Sequence, residues 1–261
     1  MTRPHSILTV LIVGLCVALA CSLSKPTPTP SQEAVEMQRT VDAMAALTRD
    51  LPFPEHFRSE DAARTGDEFD VSQYFTVLDH LSMEPGYVLD YVYQMDFLGG
   101  FPFLYARRTD EPAYRTASEY TEASERGVAG PYLDHVQVDG TPEGFFQFVV
   151  LRIMGDQFYL YWHANYNDAQ IICTRDALEA FLSQPTMFNK DLPANVQRAA
   201  RKLDVAPVIE MGADTVTVRV VIFTNWGGFI RRSYTISREF PHRILAEEEE
   251  TLVEYNCGVV F

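Results

Sequence analysis

Two apolar runs separated by a short polar turn set the strongest limit on the fold of this sequence. The first run, residues 145–153, is dominated by aromatic and aliphatic side chains, and the second, residues 158–164, is rich in aromatic residues. The pair Gly155-Asp156 lies between them, and such a pair between two strand-forming runs is typical of a β-hairpin. Both alternating faces of the first run are apolar, which indicates a strand covered on both sides.

A second hairpin is predicted nearer the C-terminus, where two strand-like runs, residues 215–224 and 229–237, flank a turn with two glycines. Ser31 and Thr174 each precede apolar residues at helical spacing, so both are predicted N-caps. Further helices are predicted at 71–82, 114–124 and 191–203, and further strands at 87–95, 101–107, 132–138, 170–173, 207–211 and 251–261. Hairpins interspersed with helices predict an α+β fold, a mostly antiparallel β-sheet built from hairpins with several helices packed on it.

The N-terminal segment has a different character from the rest of the chain. Arg3 and His5 precede an uncharged apolar run, residues 7–20. A helix that crosses a membrane needs about 20 apolar residues, so this run is short for a span. A basic start, a short apolar run and small residues at its end are typical of a secretory signal peptide. An uncleaved anchor and simple secretion are the alternatives.

Residues 18–21 read Ala-Leu-Ala-Cys, and this ending resembles the lipobox of bacterial lipoproteins. The resemblance covers the first twenty-odd residues only. It implies removal of residues 1–20 and attachment of a diacylglyceryl group, often with a further acyl chain, to Cys21. It also implies retention on a cell membrane or outer membrane, facing outside the cytoplasm. Residues 21–32 contain three prolines among small polar residues and predict an extended tether, and residues 33–261 are interpreted as a single globular domain.

The net charge, the cysteines and the absence of certain motifs limit which partners and cofactors are expected for this chain. Its formal net charge is −15, which disfavours phosphate backbones, so we expect no nucleic acid partner. Cys16 would leave with the signal peptide, and Cys173 and Cys257 either pair in an oxidising compartment or remain buried free thiols. The sequence has no phosphate-binding glycine loop and no metal-ligand motif, so neither a cofactor nor a metal is predicted.

The candidate site is an aromatic and polar cluster that follows the first apolar run. Tyr159, Tyr161 and His163 are predicted to share one face of a strand, and Asn165, Tyr166 and Asp168 follow at its end. Tyrosine combines an apolar ring with a hydroxyl, which suits a cleft for a small molecule, a glycan or a protein. The alternative is structural, because tyrosine favours strands and Asn and Asp favour turns.

Three other features allow two interpretations each. The alternation of residues 87–93 places Tyr87, Tyr91 and Tyr93 on one strand face, as a second part of a cleft or as core. Trp226 lies at a predicted hairpin tip, where it either contacts a partner or folds back onto the sheet. Residues 247–250 are four consecutive glutamates that either attract calcium or form a solvated edge that discourages aggregation.

The first hypothesis for function is therefore a membrane-anchored lipoprotein whose extracytoplasmic domain binds a ligand or a partner and is not an enzyme. The second is a hydrolase of envelope or extracellular polymers that uses His163 and Asp168. The third is a purely structural envelope protein. A hydrogen bond between His163 and Asp168 in a cleft would favour the hydrolase.

Overall fold

The computed structural model describes residues 31–127, 129–186 and 191–260. Its helices are α1 (Gln32–Thr48), α2 (Ala117–Glu125), α3 (Pro142–Met154), α4 (Arg175–Leu182) and α5 (Ala194–Ala200). Its strands are β1 (Leu81–Met83), β2 (Tyr87–Met95), β3 (Gly99–Arg108), β4 (Val136–Val138), β5 (Tyr161–Trp162), β6 (Gln170–Ile172), β7 (Val208–Met211), β8 (Thr215–Thr224), β9 (Gly228–Ser237) and β10 (Ile244–Val253). The predicted signal peptide, the lipidation site Cys21 and nearly all of the tether lie outside the described residues.

The predicted α+β fold is confirmed. Within the described ranges every strand pair is antiparallel. The largest sheet has the order β10-β9-β8-β6, with β7 also paired to β8, and two smaller sheets have the orders β2-β3-β5 and β1-β4. The predicted hairpin of residues 215–237 is confirmed as β8 and β9, in register from Thr215 opposite Ser237 to Thr224 opposite Gly228.

The predicted hairpin of residues 145–164 is wrong, because residues 142–154 form helix α3. The Thr141 hydroxyl caps this helix by accepting a hydrogen bond from the Gly144 N–H at 3.0 Å, and Pro142 occupies its first turn. Nearly every residue from Gly144 to Met154 is buried. A helix that is apolar on all sides belongs in a core, and its sequence looks like that of a doubly covered strand.

Helix α3 lies at the centre of the main core. It contacts α1, β1, β4, β7 and β8. One face of β8 supplies side chains to the same core, and these are Val216, Val218, Val220 and Ile222. The opposite face of the sheet packs on α4 and α5 through a second core that includes Val221, Phe223 and Phe229. The large sheet is therefore covered by helices on both faces.

Two predicted elements, the helix 71–82 and the strand 132–138, are wrong in part, and a third has other bounds. Residues 71–82 form a 3-10 turn, Val71–Thr76, followed by β1, and residues 132–138 form a 3-10 turn, Tyr132–His135, followed by β4. The last strand begins earlier than predicted and contains the four glutamates. Two of these, Glu249 and Glu250, pair across the strands with Arg232 and Arg231. Cross-strand pairing of opposite charges explains how an acidic run enters a strand.

The N-caps predicted from sequence at Ser31 and Thr174 are both confirmed, since their hydroxyls accept from the N–H groups of Ala34 and Ala177.

Among residues 31–127, 129–186 and 191–260, no helix has both the length and the apolar character needed to cross a membrane.

Candidate functional site

The loop between α3 and β6 carries all six candidate residues, but Tyr159, Tyr161 and His163 do not share one strand face as predicted. The strand in this loop is only Tyr161–Trp162, paired with Gly100 and Gly99 of β3. Tyr159 and Trp162 have φ angles of 51° and 50°. Bulky side chains rarely adopt this left-handed conformation, and residues in it cluster at functional sites. The two sharp changes of direction divide the candidate residues between the core and the surface.

Tyr159 and Tyr161 belong to the inner group. The Tyr159 hydroxyl accepts a hydrogen bond from the Phe69 N–H at 3.1 Å, and the Tyr159 carbonyl accepts one from the Tyr93 hydroxyl at 2.8 Å. The guanidinium of Arg58 lies 5.2 Å from the centre of the Tyr161 ring. These contacts hold the loop against the core, so both tyrosines are structural. Of the three tyrosines on one face of β2, Tyr91 and Tyr93 are fully buried and belong to the core. Tyr87 is half-buried and stacks on His135, with ring centres 3.9 Å apart.

The outer group forms a chain of four rings, Trp162, His163, Tyr166 and Trp226, which we call the aromatic ladder. Successive ring centres are 5.0, 6.0 and 4.4 Å apart. Trp162 is 46% exposed and Tyr166 is 40% exposed, while His163 and Trp226 are half-buried. Sequence reasoning placed His163 and Tyr166 in the site but omitted Trp162, and it treated Trp226 separately.

Trp226 is half-buried at the β8–β9 turn, where it contacts the C-terminal segment and the loop between α3 and β6. Its indole N–H donates to the Val259 carbonyl at 2.8 Å, and its ring contacts Tyr166. The indole N–H is thereby satisfied, as burial of a tryptophan usually demands. Trp226 is therefore held by contacts within the protein, whereas Trp162 and Tyr166 expose their rings to solvent.

Asp168 and Asn225 join the loop to the β8–β9 turn that carries Trp226. One carboxylate oxygen of Asp168 accepts from the Asn225 backbone N–H at 2.7 Å and from its side-chain amide at 2.6 Å. The other oxygen is buried and has no partner within the described residues. Burial raises the pKa of the Asp168 carboxyl, and the two hydrogen bonds from Asn225 oppose that rise. Asp168 is thus a structural link and not an exposed base.

The turn residues hold the strained backbone in place. The Asn165 amide donates at 2.9 Å to the carbonyl of Trp162, which directly precedes the 3-10 turn His163–Tyr166 that contains Asn165. Asn167 donates to a carboxylate oxygen of Asp156 at 2.9 Å, and burial raises the pKa of that acid too. The Asn and Asp cluster therefore has the turn-forming role that its composition favours.

No Asp–His pair forms in this loop. The bonded oxygen of Asp168 is held by Asn225, and its other oxygen has no partner. The ring nitrogens of His163 have no protein partner in the described part of the chain, so they are available to hydrogen-bond a ligand. The geometry therefore fits binding better than acid–base catalysis, which requires a hydrogen-bonded and oriented base.

The tip of the β2–β3 hairpin extends the exposed apolar surface beside the ladder. Phe97, at this tip, is 78% exposed. The tip is joined to the loop of the ladder by a backbone hydrogen bond, in which the backbone N–H of His163 donates to the Leu98 carbonyl at 3.1 Å. A Cβ atom on Gly99 would lie 2.7 Å from the Tyr161 carbonyl oxygen and 3.0 Å from the Ala164 nitrogen. Only glycine allows this approach of the two backbones, so the hairpin tip fixes the position of the ladder.

The two cysteines and the acidic run form no metal site in the part of the chain that the structure describes. Cys173 is buried and Cys257 is half-buried, and both are free thiols. Burial raises the pKa of the Cys173 thiol, which makes it a poor nucleophile. Among the described residues, no three His, Cys, Asp or Glu side chains are placed to hold a metal ion.

No family model, curated protein or solved structure matches this chain significantly. Its function must therefore be inferred from the ladder and from its surroundings.

Proposed function

We propose that this chain is a lipid-anchored extracytoplasmic protein that binds a glycan on its aromatic ladder. The observation that carries this proposal is the exposure of Trp162 and Tyr166 on a loop with positive φ angles at Tyr159 and Trp162. The electron-rich face of an aromatic ring attracts the C–H groups on the face of a sugar ring, and rigid rings lose little entropy when they bind. A row of such rings suits a chain of sugars.

Polar groups beside the rings would recognise the sugar hydroxyls. Among the residues that the structure describes, the ring nitrogens of His163 have no hydrogen-bond partner. The Asn165 amide donates to the Trp162 carbonyl through its nitrogen, which leaves its oxygen as an acceptor. A few polar groups among aromatic rings are what gives a binding site orientation and specificity. The net charge of −15 disfavours anionic polymers, so the proposed ligand is a neutral or cationic glycan.

Binding can be followed by intrinsic fluorescence, because the chain has two tryptophans and both lie in the ladder. We expect an oligomer of β-1,4-linked N-acetylglucosamine, or cellohexaose, to change the tryptophan emission and to protect it from quenching by acrylamide. Trp162→Ala should weaken binding about tenfold or more, since one stacked ring contributes about 1–2 kcal/mol. Isothermal titration calorimetry would measure that loss independently of the fluorescence.

The matched control is Phe240→Ala, which removes an exposed aromatic ring just beyond the far end of β9. This variant should bind as the unmodified protein does. Equal affinity of Trp162→Ala and the unmodified protein for the glycan would overturn the proposal. A response of the tryptophans to phosphatidylglycerol vesicles but not to either glycan would also overturn it, in favour of a membrane contact.

The anchored location is supported by the apolar run of residues 7–20 and the Ala-Leu-Ala-Cys ending. We expect mass spectrometry of the membrane fraction to find a mature chain that begins at a modified Cys21. Cys21→Ser should release the protein from that fraction, because lipid chains supply the membrane affinity. A chain that retains residues 1–20, dissolved in the cytosol, would contradict this part of the proposal without affecting the glycan test.

A further inference from the structure

We propose a second binding site, a groove between α2 and the β2–β3 sheet that takes a basic peptide segment with apolar side chains. Two adjoining cavities of about 610 and 160 Å³ form it, and they share lining residues on β2 and on one face of α2, namely Gln94, Ala117, Thr121 and Glu125. We call this feature the acidic groove. The acidic groove lies outside the aromatic ladder. The proposal of this second site does not depend on the proposal of glycan binding.

The floor of the acidic groove is apolar and partly open to solvent. Phe103 is 41% exposed, and its ring centre lies 5.0 Å from that of Tyr120 on α2. Val92 lies beneath them and is fully buried. At the other end, the exposed ring of Phe97 stands at the mouth of the larger cavity. An aromatic ring left this exposed in a concave surface is a place where a partner's apolar side chain can be buried.

The rim of the groove carries one sign of charge. Its lining includes five carboxylates, Glu60, Asp61, Asp96, Glu122 and Glu125, and no Lys, Arg or His. Asp61 and Asp96 each accept hydrogen bonds from backbone N–H groups, and Glu122 has a single distant ion pair with Arg126 at 3.9 Å. Within the described residues, Glu60 and Glu125 have no hydrogen-bond or ion-pair partner. The negative charge is therefore directed towards solvent in the groove.

The combination of apolar floor and acidic rim selects the occupant. Lysine and arginine have apolar stems and charged ends, so they can cover Phe103 while their charges meet the rim. A partner with apolar side chains between its basic residues would fill the cavity and match the potential. A bare metal ion is not the occupant that fits, because the described acids include no cluster that could coordinate one.

The probe for this site is a hexapeptide of alternating lysine and leucine, acetylated and amidated at its ends. We expect it to bind the intact protein, with an affinity that falls as salt rises. Replacing two rim residues by Glu122→Gln and Glu125→Gln should weaken binding about fivefold, because each substitution removes one exposed ion pair with a lysine of the peptide. Fluorescence anisotropy of a labelled peptide would measure this.

The matched control is the pair Glu248→Gln and Glu254→Gln, which removes the same charge from exposed positions on and just after β10. This control should leave the affinity unchanged. Equal weakening by both pairs would show attraction to net charge only and overturn the proposal. Equal affinity for a lysine–serine hexapeptide would overturn it too, since the apolar floor would then have no role.

Trp162→Ala separates this site from the proposed glycan site. We expect this variant to bind the lysine–leucine peptide normally and to lose glycan affinity. Loss of peptide binding in Trp162→Ala would place the peptide on the ladder and contradict a separate groove.

Discussion

Replacing Phe57 by alanine is expected to lower the free energy of unfolding by about 3–5 kcal/mol. Phe57 is fully buried, and its ring is stacked on that of Tyr93 with centres 4.1 Å apart and planes 4° apart. It also makes an edge contact with Tyr159 at 5.7 Å. The substitution would leave a cavity among tightly packed rings, and the lost contacts add to that cost. Urea denaturation followed by circular dichroism would measure the change.

The control for this prediction makes the same chemical change at the surface. Phe97→Ala removes a ring that is 78% exposed, so its effect should stay within about 0.5 kcal/mol. Comparable losses in the two variants would mean that Phe57 is not packed as described. Because Phe57 supports Tyr159, the first strained residue of the loop, we also expect Phe57→Ala to weaken glycan binding.

Asp168 gives the second large effect, which depends on the residue that replaces it. Alanine would leave the Asn225 backbone N–H and its side-chain amide without their acceptor, whereas asparagine keeps a carbonyl oxygen in that place. Each unpaired buried donor costs about 1–3 kcal/mol. Asp168→Ala should therefore be less stable than Asp168→Asn by about 2–4 kcal/mol at neutral pH. Equal stability of the two variants would contradict the link between the loop and the β8–β9 turn.

Replacing Asp168 should also change how the stability of the protein depends on pH. Burial raises the pKa of Asp168 in the folded state, so the folded protein holds this proton more tightly than the unfolded chain does. The protonated Asp168 carboxyl contributes its full stabilisation below about pH 4, the pKa of an aspartate in the unfolded chain. That contribution is lost as pH rises through the higher pKa that Asp168 has in the folded protein. Relative to Asp168→Asn, the unmodified protein should become less stable as pH rises. Asp156, whose pKa is shifted the same way, is common to both proteins and cancels in the difference.

Local signals were sufficient for several elements of the fold. The N-caps Ser31 and Thr174, the strand β2 and the β8–β9 hairpin follow from short stretches of sequence. In these stretches the capping residue, the alternation or the glycine turn favours the same structure that the tertiary contacts stabilise. The α+β class follows from the order of such elements.

The misassigned helix α3 shows where local patterns stop being informative. Burial on all sides removes the amphipathic period, so aromatic and β-branched residues there fit a covered strand as well as a helix. The signal that distinguished the two lay just upstream, in the capping residue Thr141 and in Pro142. The short strand β5 could not be foreseen either, because positive φ angles at Tyr159 and Trp162 are stabilised by distant contacts.

The α+β class, the N-caps Ser31 and Thr174, and the turn-forming role of the Asn and Asp residues follow from the sequence alone, which also predicts a leader that resembles that of lipoproteins. Only the tertiary packing brought Trp226 against Tyr166 and placed Glu122 and Glu125 of α2 in one groove with Asp96 of the β2–β3 hairpin. The two kinds of feature differ in how far apart along the chain the interacting residues lie. Caps, turns and alternation act between residues a few positions apart, whereas the ladder and the groove are formed by side chains that meet only when the sheets and helices pack.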